Sequence, residues 1–182
     1  MTLTDLAPLE RWRALEEELH ARSGMDVSVF DPRGYRILAE KRWANRLCPA
    51  VKETDKGQSF ICAPAHMNLA AQAARTQRPV IEECDAGMIK IVVPIFAGGE
   101  FVGAVGACGL RFEDAEIDSF LVSKMTDLAE ARVEELAQSV APFGRAEAEA
   151  LAELIQRRVA ELLSDAPGGG SADALSREPR LR

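Results

Sequence analysis

The residues of this sequence with the most distinctive chemistry are its four cysteines, Cys48, Cys62, Cys84 and Cys108. Their spacing is wide and contains no CxxC pair, which excludes the usual zinc-ribbon, ferredoxin and thioredoxin patterns. Four cysteines in 182 residues are also too few for a disulfide-built scaffold. A shared metal or iron–sulfur site is one interpretation, because thiolates are typical ligands of both. Unconnected cysteines packed as small apolar residues, or a thiol switch, are the alternatives.

Three strands in quick succession form the most regular part of the sequence. They are predicted over 80–84, 88–96 and 101–111 from their β-branched residues and the turns that bound them. The turns are Ala86-Gly87 and Gly98-Gly99, and each is typical of a two-residue hairpin. The three strands are therefore expected to pair with each other in antiparallel fashion.

These two turns predict where two of the cysteines lie in the sheet. With two residues in each turn, Cys84 and Cys108 both lie opposite Ile89. Lys90 is then expected to face solvent opposite Glu83, so the face that carries Ile89 is the buried one. A shift of one residue in either turn would move one cysteine to the other face.

The other two cysteines fall in the helical segment that must pack over the sheet. Cys48 lies in a short predicted helix, and Cys62 precedes a longer one near 64–76. His66 follows Cys62 by four residues, so it is a candidate fifth ligand on the same helix face. All four thiols are therefore expected to converge in the core of one domain.

The separation of the two sheet cysteines bears on the kind of centre they could form. They are predicted to stand two strands apart, about 9–10 Å at the backbone. Zinc holds its sulfur ligands closer, roughly 3.8 Å from each other, because each Zn–S bond is only about 2.3 Å long. The separation therefore favours a four-thiolate iron–sulfur cluster, with zinc as the alternative.

The remaining elements give an α/β (α+β) order of helix, two strands, helices, three strands and further helices. Beyond those named above, helical or strand patterns are predicted over 5–22, 26–30, 35–39, 47–51, 114–126, 130–140 and 145–164. This order is typical of a PAS/GAF-like fold, with a five-stranded antiparallel sheet and helices on one face. The chain is divided into a domain over 1–112, a helical extension over 113–165 and a flexible tail over 166–182.

Composition excludes several functional classes. The net charge is −7, and 13 acidic but only 5 basic residues lie between 113 and 165, so nucleic acid is not an expected partner. No apolar run approaches the ~20 residues that cross a bilayer, and no signal-peptide core is present, so a cytoplasmic location without membrane contact is expected. Neither of the two histidines belongs to a motif, so no Ser-His-Asp triad is predicted.

A pattern of three cysteines and a glycine-rich hairpin runs through residues 47–109. It consists of the segments LCPAV and FICAPAH, the turn Cys-Asp-Ala-Gly at 84–87, and a hairpin from Pro94-Ile95 to Gly103. The pattern resembles the PocR-type ligand-binding domain of prokaryotic signalling proteins, and the resemblance covers about residues 5–112. It implies a PAS-like fold, a sensory role, and small hydrocarbon derivatives such as diols as ligands.

Two residues depart from the pattern of that family. The family commonly has histidine after the third cysteine, where this chain has Asp85, and glutamine in the last strand, where this chain has Cys108. The second exchange removes an amide suited to binding a hydroxyl group and adds a fourth thiol. It favours sensing of redox state, a metal or a gas through a cysteine-bound centre.

We therefore expect a cytoplasmic sensory domain that detects redox state, a metal or a small ligand through the four cysteines. The alternatives are a metal-free module for small hydrocarbon derivatives, and a cysteine- or cluster-dependent enzyme. The enzyme is disfavoured because no general base stands in a motif with a thiol. The apolar stripe of the helix over 145–164 is expected to fold back on the domain, or to dock on a second copy or a signalling partner.

Overall fold

A computed structural model describes residues 1–165, and the predicted tail over 166–182 lies outside them. The helices are α1 (Leu3–Leu6), α2 (Leu9–Ser23), α3 (Leu47–Glu53), α4 (Ala63–Thr76), α5 (Ser119–Thr126), α6 (Glu130–Ala137) and α7 (Arg145–Ser164). A π-helical turn over Gly57–Cys62 leads directly into α4. The strands are β1 (Asp26–Phe30), β2 (Val80–Glu83), β3 (Ile89–Ala97), β4 (Glu100–Cys108), β5 (Arg111–Phe112) and β6 (Pro142–Phe143).

The main sheet has four antiparallel strands in the order β1-β4-β3-β2. The mixed α+β class is as predicted, but the five-stranded sheet is not, because the strand expected over 35–39 forms only one bridge, between Phe30 and Arg36. The Arg36 guanidinium binds the backbone carbonyls of Ala39 and Glu40 and so turns the chain away from β1. The small strands β5 and β6 form a separate parallel pair.

The helix predicted over 5–22 is interrupted near its start. The structure divides it into α1 and α2, with Ala7 in an extended conformation at φ −154° and ψ 149°. The cause is Pro8, since the ring of a proline disfavours the helical conformation of the residue before it. Pro8 then serves as the N-cap of α2.

Helices cover both faces of the main sheet, which corrects the prediction that they lie on one face. One face of β3 packs with α2 and α7 through the alternate residues Ile89, Ile91, Val93 and Ile95. On the opposite face, Val92 packs with Ala73 of α4. The apolar stripe of α7 therefore folds back on the sheet, and β3 is buried from both sides.

The register of the sheet differs from the prediction by one residue on each side of β3. Next to the Gly98-Gly99 turn the pairing is as predicted, but a bulge between Ile95 and Phe96 then makes Cys108 the partner of Lys90. A Cβ on Gly103 in this bulge would lie 2.4 Å from the carbonyl oxygen of Phe30, so only glycine fits there.

The turn between β2 and β3 is also one residue longer than predicted. The amide of Cys84 donates to the carbonyl of Met88 at 2.8 Å, and Glu83 rather than Cys84 pairs with Ile89. Both cysteines therefore move together from the face of Ile89 to the face of Lys90. The prediction that both cysteines share one face of the sheet is confirmed, but the prediction that this is the face of Ile89 is wrong.

The helices α5 and α6 lie against the crossover that precedes β2. Leu47 and Val51 of α3 and Ile61 of the π-helical turn form a second apolar cluster with Val122 and Val133. The crossover therefore packs directly against α5 and α6. Within residues 1–165, none of the helices combines the length and apolar character needed to span a bilayer.

Candidate functional site

A cavity of about 420 Å³ lies between the sheet and the helical crossover. Its floor is the face of the sheet opposite α7, and its roof is the segment from α3 through the π-helical turn to the start of α4. A single π-helical turn next to a cavity is typical of functional sites, because it displaces side chains from their ordinary helical directions. The size falls within the usual range for small-molecule sites.

All four cysteines line this cavity, and each comes from a different segment of the chain. Cys48 lies in α3, Cys62 ends the π-helical turn, Cys84 begins the turn after β2, and Cys108 ends β4. All four are free, partly buried thiols. The one-residue shifts in the sheet place Cys84 and Cys108 in this cavity, since the predicted register would have turned both toward α2 and α7.

Asn45 holds Cys48 in place. Its Oδ1 accepts a hydrogen bond from the Cys48 amide at 2.7 Å, and its Nδ2 donates to the carbonyl of Gly109 at 2.6 Å. The Cys48 thiol lies 3.2 Å from the Sδ of Met88. A side chain at the start of α3 is thus tied to the end of β4, on the opposite side of the cavity.

His66 also lines the cavity, with 5% of its surface exposed. Its ring stacks on Phe30 with 3.8 Å between centroids, and neither ring nitrogen has a hydrogen-bond partner. Burial, and then the nearby Lys90 and Lys52, lower the pKa of His66 to about 3, so the ring is neutral. Among residues 1–165, no three His, Cys, Asp or Glu side chains are grouped closely enough to hold a metal ion.

Burial keeps three of the thiols protonated. It raises the pKa of Cys84 from 9.0 to about 11 and also raises the pKa of Cys62. The pKa of Cys48 lies well above its ordinary value because of burial and then the neighbouring Cys108. These thiols are therefore uncharged near neutral pH, although the neighbouring Lys52 favours the thiolate of Cys62 and a bound cation would favour all three.

Basic side chains line the same cavity. Lys41 pairs with Asp26 at 2.6 Å. Lys90 lies on the floor with only 8% of its surface exposed, and Lys52 lies on the roof, half-buried. Neither Lys90 nor Lys52 forms an ion pair or a side-chain hydrogen bond within the described part of the chain. The prediction that Lys90 faces solvent opposite Glu83 is wrong, because its neighbours across the sheet are Glu82 and Cys108.

The sequence contains a pattern that predicts the burial of Lys90. The stretch Ile89–Ala97 is apolar at almost every position, which is typical of a strand buried on both faces. A lysine within such a strand is buried whichever face it lies on. For Lys52 and Asn45 the sequence offers no comparable signal, because their roles depend on how the crossover packs over the sheet.

Of the comparisons with known proteins, the one with family models gives a match. Neither the curated proteins nor the solved structures contain a significant match to the chain. A family model described as the sensory domain found in PocR matches residues 5–166, which extends beyond the resemblance noted over 5–112 and includes α5, α6 and α7. That match covers most of the chain and confirms a sensory rather than a catalytic role. The chain belongs to the family of PocR sensory domains.

Proposed function

We propose that this chain senses a small molecule that binds inside the cavity between the sheet and the crossover. The observation that carries the proposal is a partly open cavity of about 420 Å³ whose wall contains buried polar groups without partners, among them both nitrogens of His66. Buried polar groups are normally satisfied, so unpaired ones in a cavity wall are suited to binding a ligand. The family supplies the sensory role.

The position of the cavity suggests how binding is passed on. The roof of the cavity carries Cys48, Lys52 and Cys62, and the same segment packs through Leu47 and Ile61 against α5 and α6. A ligand that favours one position of the roof would therefore shift α5 and α6 as well. The shift is limited by the difference in the ligand's affinity for the two positions.

A cavity-filling substitution tests this proposal. Ala65 of α4 lines the cavity, and Ala71 lies on the same helix outside it with its surface exposed. We expect A65F to abolish binding of small ligands, measured by calorimetry with short-chain diols, amides and carboxylates, and A71F to leave it unchanged. Equal binding by both variants would show that the ligand site lies elsewhere.

A second candidate is a cofactor held by the four thiols, which line one cavity. Because no three of them lie close enough within the described residues to hold a metal ion, this candidate requires the roof to move toward the floor. Cys48, Cys62, Cys84 and Cys108 are the ligands we propose for an iron–sulfur cluster or zinc, with His66 as a further ligand. The thioether of Met88 lies beside Cys48 and adds another sulfur donor, the type of ligand that thiophilic metal centres prefer. Loss or oxidation of such a centre would release the roof from the floor.

Anaerobic purification tests the second candidate. A cluster predicts absorbance near ~400 nm with stoichiometric iron and sulfide, whereas a zinc site predicts zinc alone. C108S is expected to lose the centre, and M88L, which leaves all four thiols, is expected to keep it. Colourless, metal-free and folded protein would contradict this candidate and leave the small-molecule proposal standing.

A further inference from the structure

Lys90 occupies an unusual place for a lysine. It lies in β3, an inner strand of the sheet, and its neighbour Cys108 lies in β4, the other inner strand. It is 8% exposed, and its Nζ lies 5.4 Å from the centroid of the Phe30 ring. A Cβ on Gly106 would come within 3.5 Å of Nζ, so this glycine leaves room beside the ammonium group. The side chain of Lys90 is largely buried, and its ammonium group faces the cavity without an ion pair, which destabilises the ligand-free fold and calls for a functional explanation.

No acidic residue of the described chain forms an ion pair with Lys90. Glu82, its neighbour across the sheet on β2, is exposed and forms no ion pair with it. Asp26 is the acidic residue in the cavity wall, and its Oδ2 is paired with Lys41. Its Oδ1 has no hydrogen-bond partner at all, so Asp26 does not reach Lys90. Cys108 lies between them, because β4 separates β1 from β3.

Lys52 adds a second uncompensated cation from the opposite wall. Lys41, Lys52 and Lys90 all line this cavity. Burial, and then the charges of Lys41 and Lys90, lower the pKa of Lys52. The fourth basic residue of the wall, Arg33, is already paired with Asp31. The floor and the roof therefore each offer one cation to the same cavity.

We propose that the ligand of this cavity is a small carboxylate whose anionic group binds Lys90 and Lys52. A second polar atom of the ligand binds the unpartnered ring of His66, and its hydrocarbon part lies against Phe30 and Met88. A short-chain acid suits this wall, because the lysines neutralise its anionic group as point charges and the rest of the lining is mostly apolar. The inference rests on the proposed function and names the substrate class of that site.

The first test needs no ligand. Replacing Lys90 by Met keeps most of the length of the side chain but removes the unpaired charge, so the ligand-free protein should become more stable. We expect K90M to raise the melting temperature by at least about 3 °C, and the exposed K124M to leave it unchanged. A lower melting temperature for K90M would assign Lys90 a structural role and overturn the inference.

The second test compares acids with their neutral analogues by isothermal titration calorimetry. The probes are lactate, 3-hydroxybutyrate and 4-hydroxybenzoate, which carry a hydroxyl group as a second polar atom, each matched with its primary amide. We expect the acids to bind wild-type protein, K124M and K90R, and to bind K90M and K52M at least about 30-fold more weakly. The amides should bind weakly to all of them.

The outcomes separate this inference from the proposed function. Equal binding of amides and acids, with no effect of K90M, would overturn the carboxylate inference but leave a ligand site in the cavity. Binding of acids that A65F does not weaken would place the site outside the cavity. Binding of neither class would contradict the carboxylate inference together with the proposed function.

Discussion

Lys90 and Cys108 lie side by side on neighbouring strands, and both line the cavity. Lys90 is not one of the cysteine and glycine positions of the sequence motif, although the apolar strand around it predicts its burial, and it lies with Cys108 on the floor of the site. An anion in the cavity would stabilise the ammonium group of Lys90, whereas a cation would stabilise a thiolate of Cys108. At this scale the chemistry of the domain depends on a few largely buried side chains that face one cavity.

The Cys84 thiol gives the protein a pH dependence in the alkaline range. Its pKa is raised by burial from 9.0 to about 11, so the folded state keeps a proton that the unfolded chain loses. The resulting stabilisation is complete below pH 9 and is lost as the pH rises to 11, with a total of about 3 kcal/mol. We expect C84S to flatten the decline of the unfolding free energy over this range, measured by urea denaturation. Identical slopes for both proteins would contradict the burial of this thiol.

The bulge in β4 is the element that decides which face carries Cys108. It depends on Gly103, where a Cβ would lie 2.4 Å from the Phe30 carbonyl and 2.8 Å from Leu3. We expect G103A to lower the unfolding free energy by more than about 2 kcal/mol, because backbone atoms must move to admit the methyl group. G98A, in an open turn with nothing within 4 Å, is the matched control and should have the smaller effect. Similar losses for the two variants would argue against the bulge.

The packing of α7 on the sheet gives a second prediction at the scale of elements. Ile155 is fully buried in the cluster that joins α7 to β3. We expect I155A to destabilise the protein by about 3 kcal/mol in urea denaturation, as large-to-small changes in a packed core do. Q156A, the exposed neighbour on the same helix, should change stability by less than about 0.5 kcal/mol. A small effect of I155A would mean that α7 docks elsewhere, as on a second copy of the chain.

At the scale of the whole molecule, the described residues share two principal apolar clusters that both extend past residue 112. One contains Ile155 and Leu151 of α7, and the other contains Val122 and Val133 of α5 and α6. The family match likewise extends to residue 166. Both clusters therefore cross the predicted boundary between a domain over 1–112 and an extension over 113–165.

A truncation tests that boundary. We expect a chain of residues 1–112 to lack a cooperative unfolding transition, because it loses one wall of each cluster. A chain of residues 1–165 is the matched control and should unfold cooperatively. Circular dichroism during urea denaturation distinguishes the two. A cooperative transition for the shorter chain would establish residues 1–112 as a domain of their own.

The sequence by itself determined the α+β class, most helices, the three strands after the crossover and the family. These follow from local patterns: apolar residues at helical spacing, β-branched runs and a cysteine motif. The fifth strand over 35–39 and the single helix over 5–22 were wrong for local reasons that involve Arg36 and Pro8. At each position a single residue, Arg36 or Pro8, affects the local backbone in a way that the pattern of apolar residues does not show.

Only the tertiary structure decided which face of the sheet carries the site. One extra residue in a bulge and one in a turn reverse the direction of every side chain beyond them, and neither insertion has a clear mark in the sequence. That reversal moved Cys84 and Cys108 away from α7 and beside Lys90, opposite a roof whose position depends on the packing of α5 and α6. Local patterns specify elements, but the cavity exists only where elements distant in sequence meet.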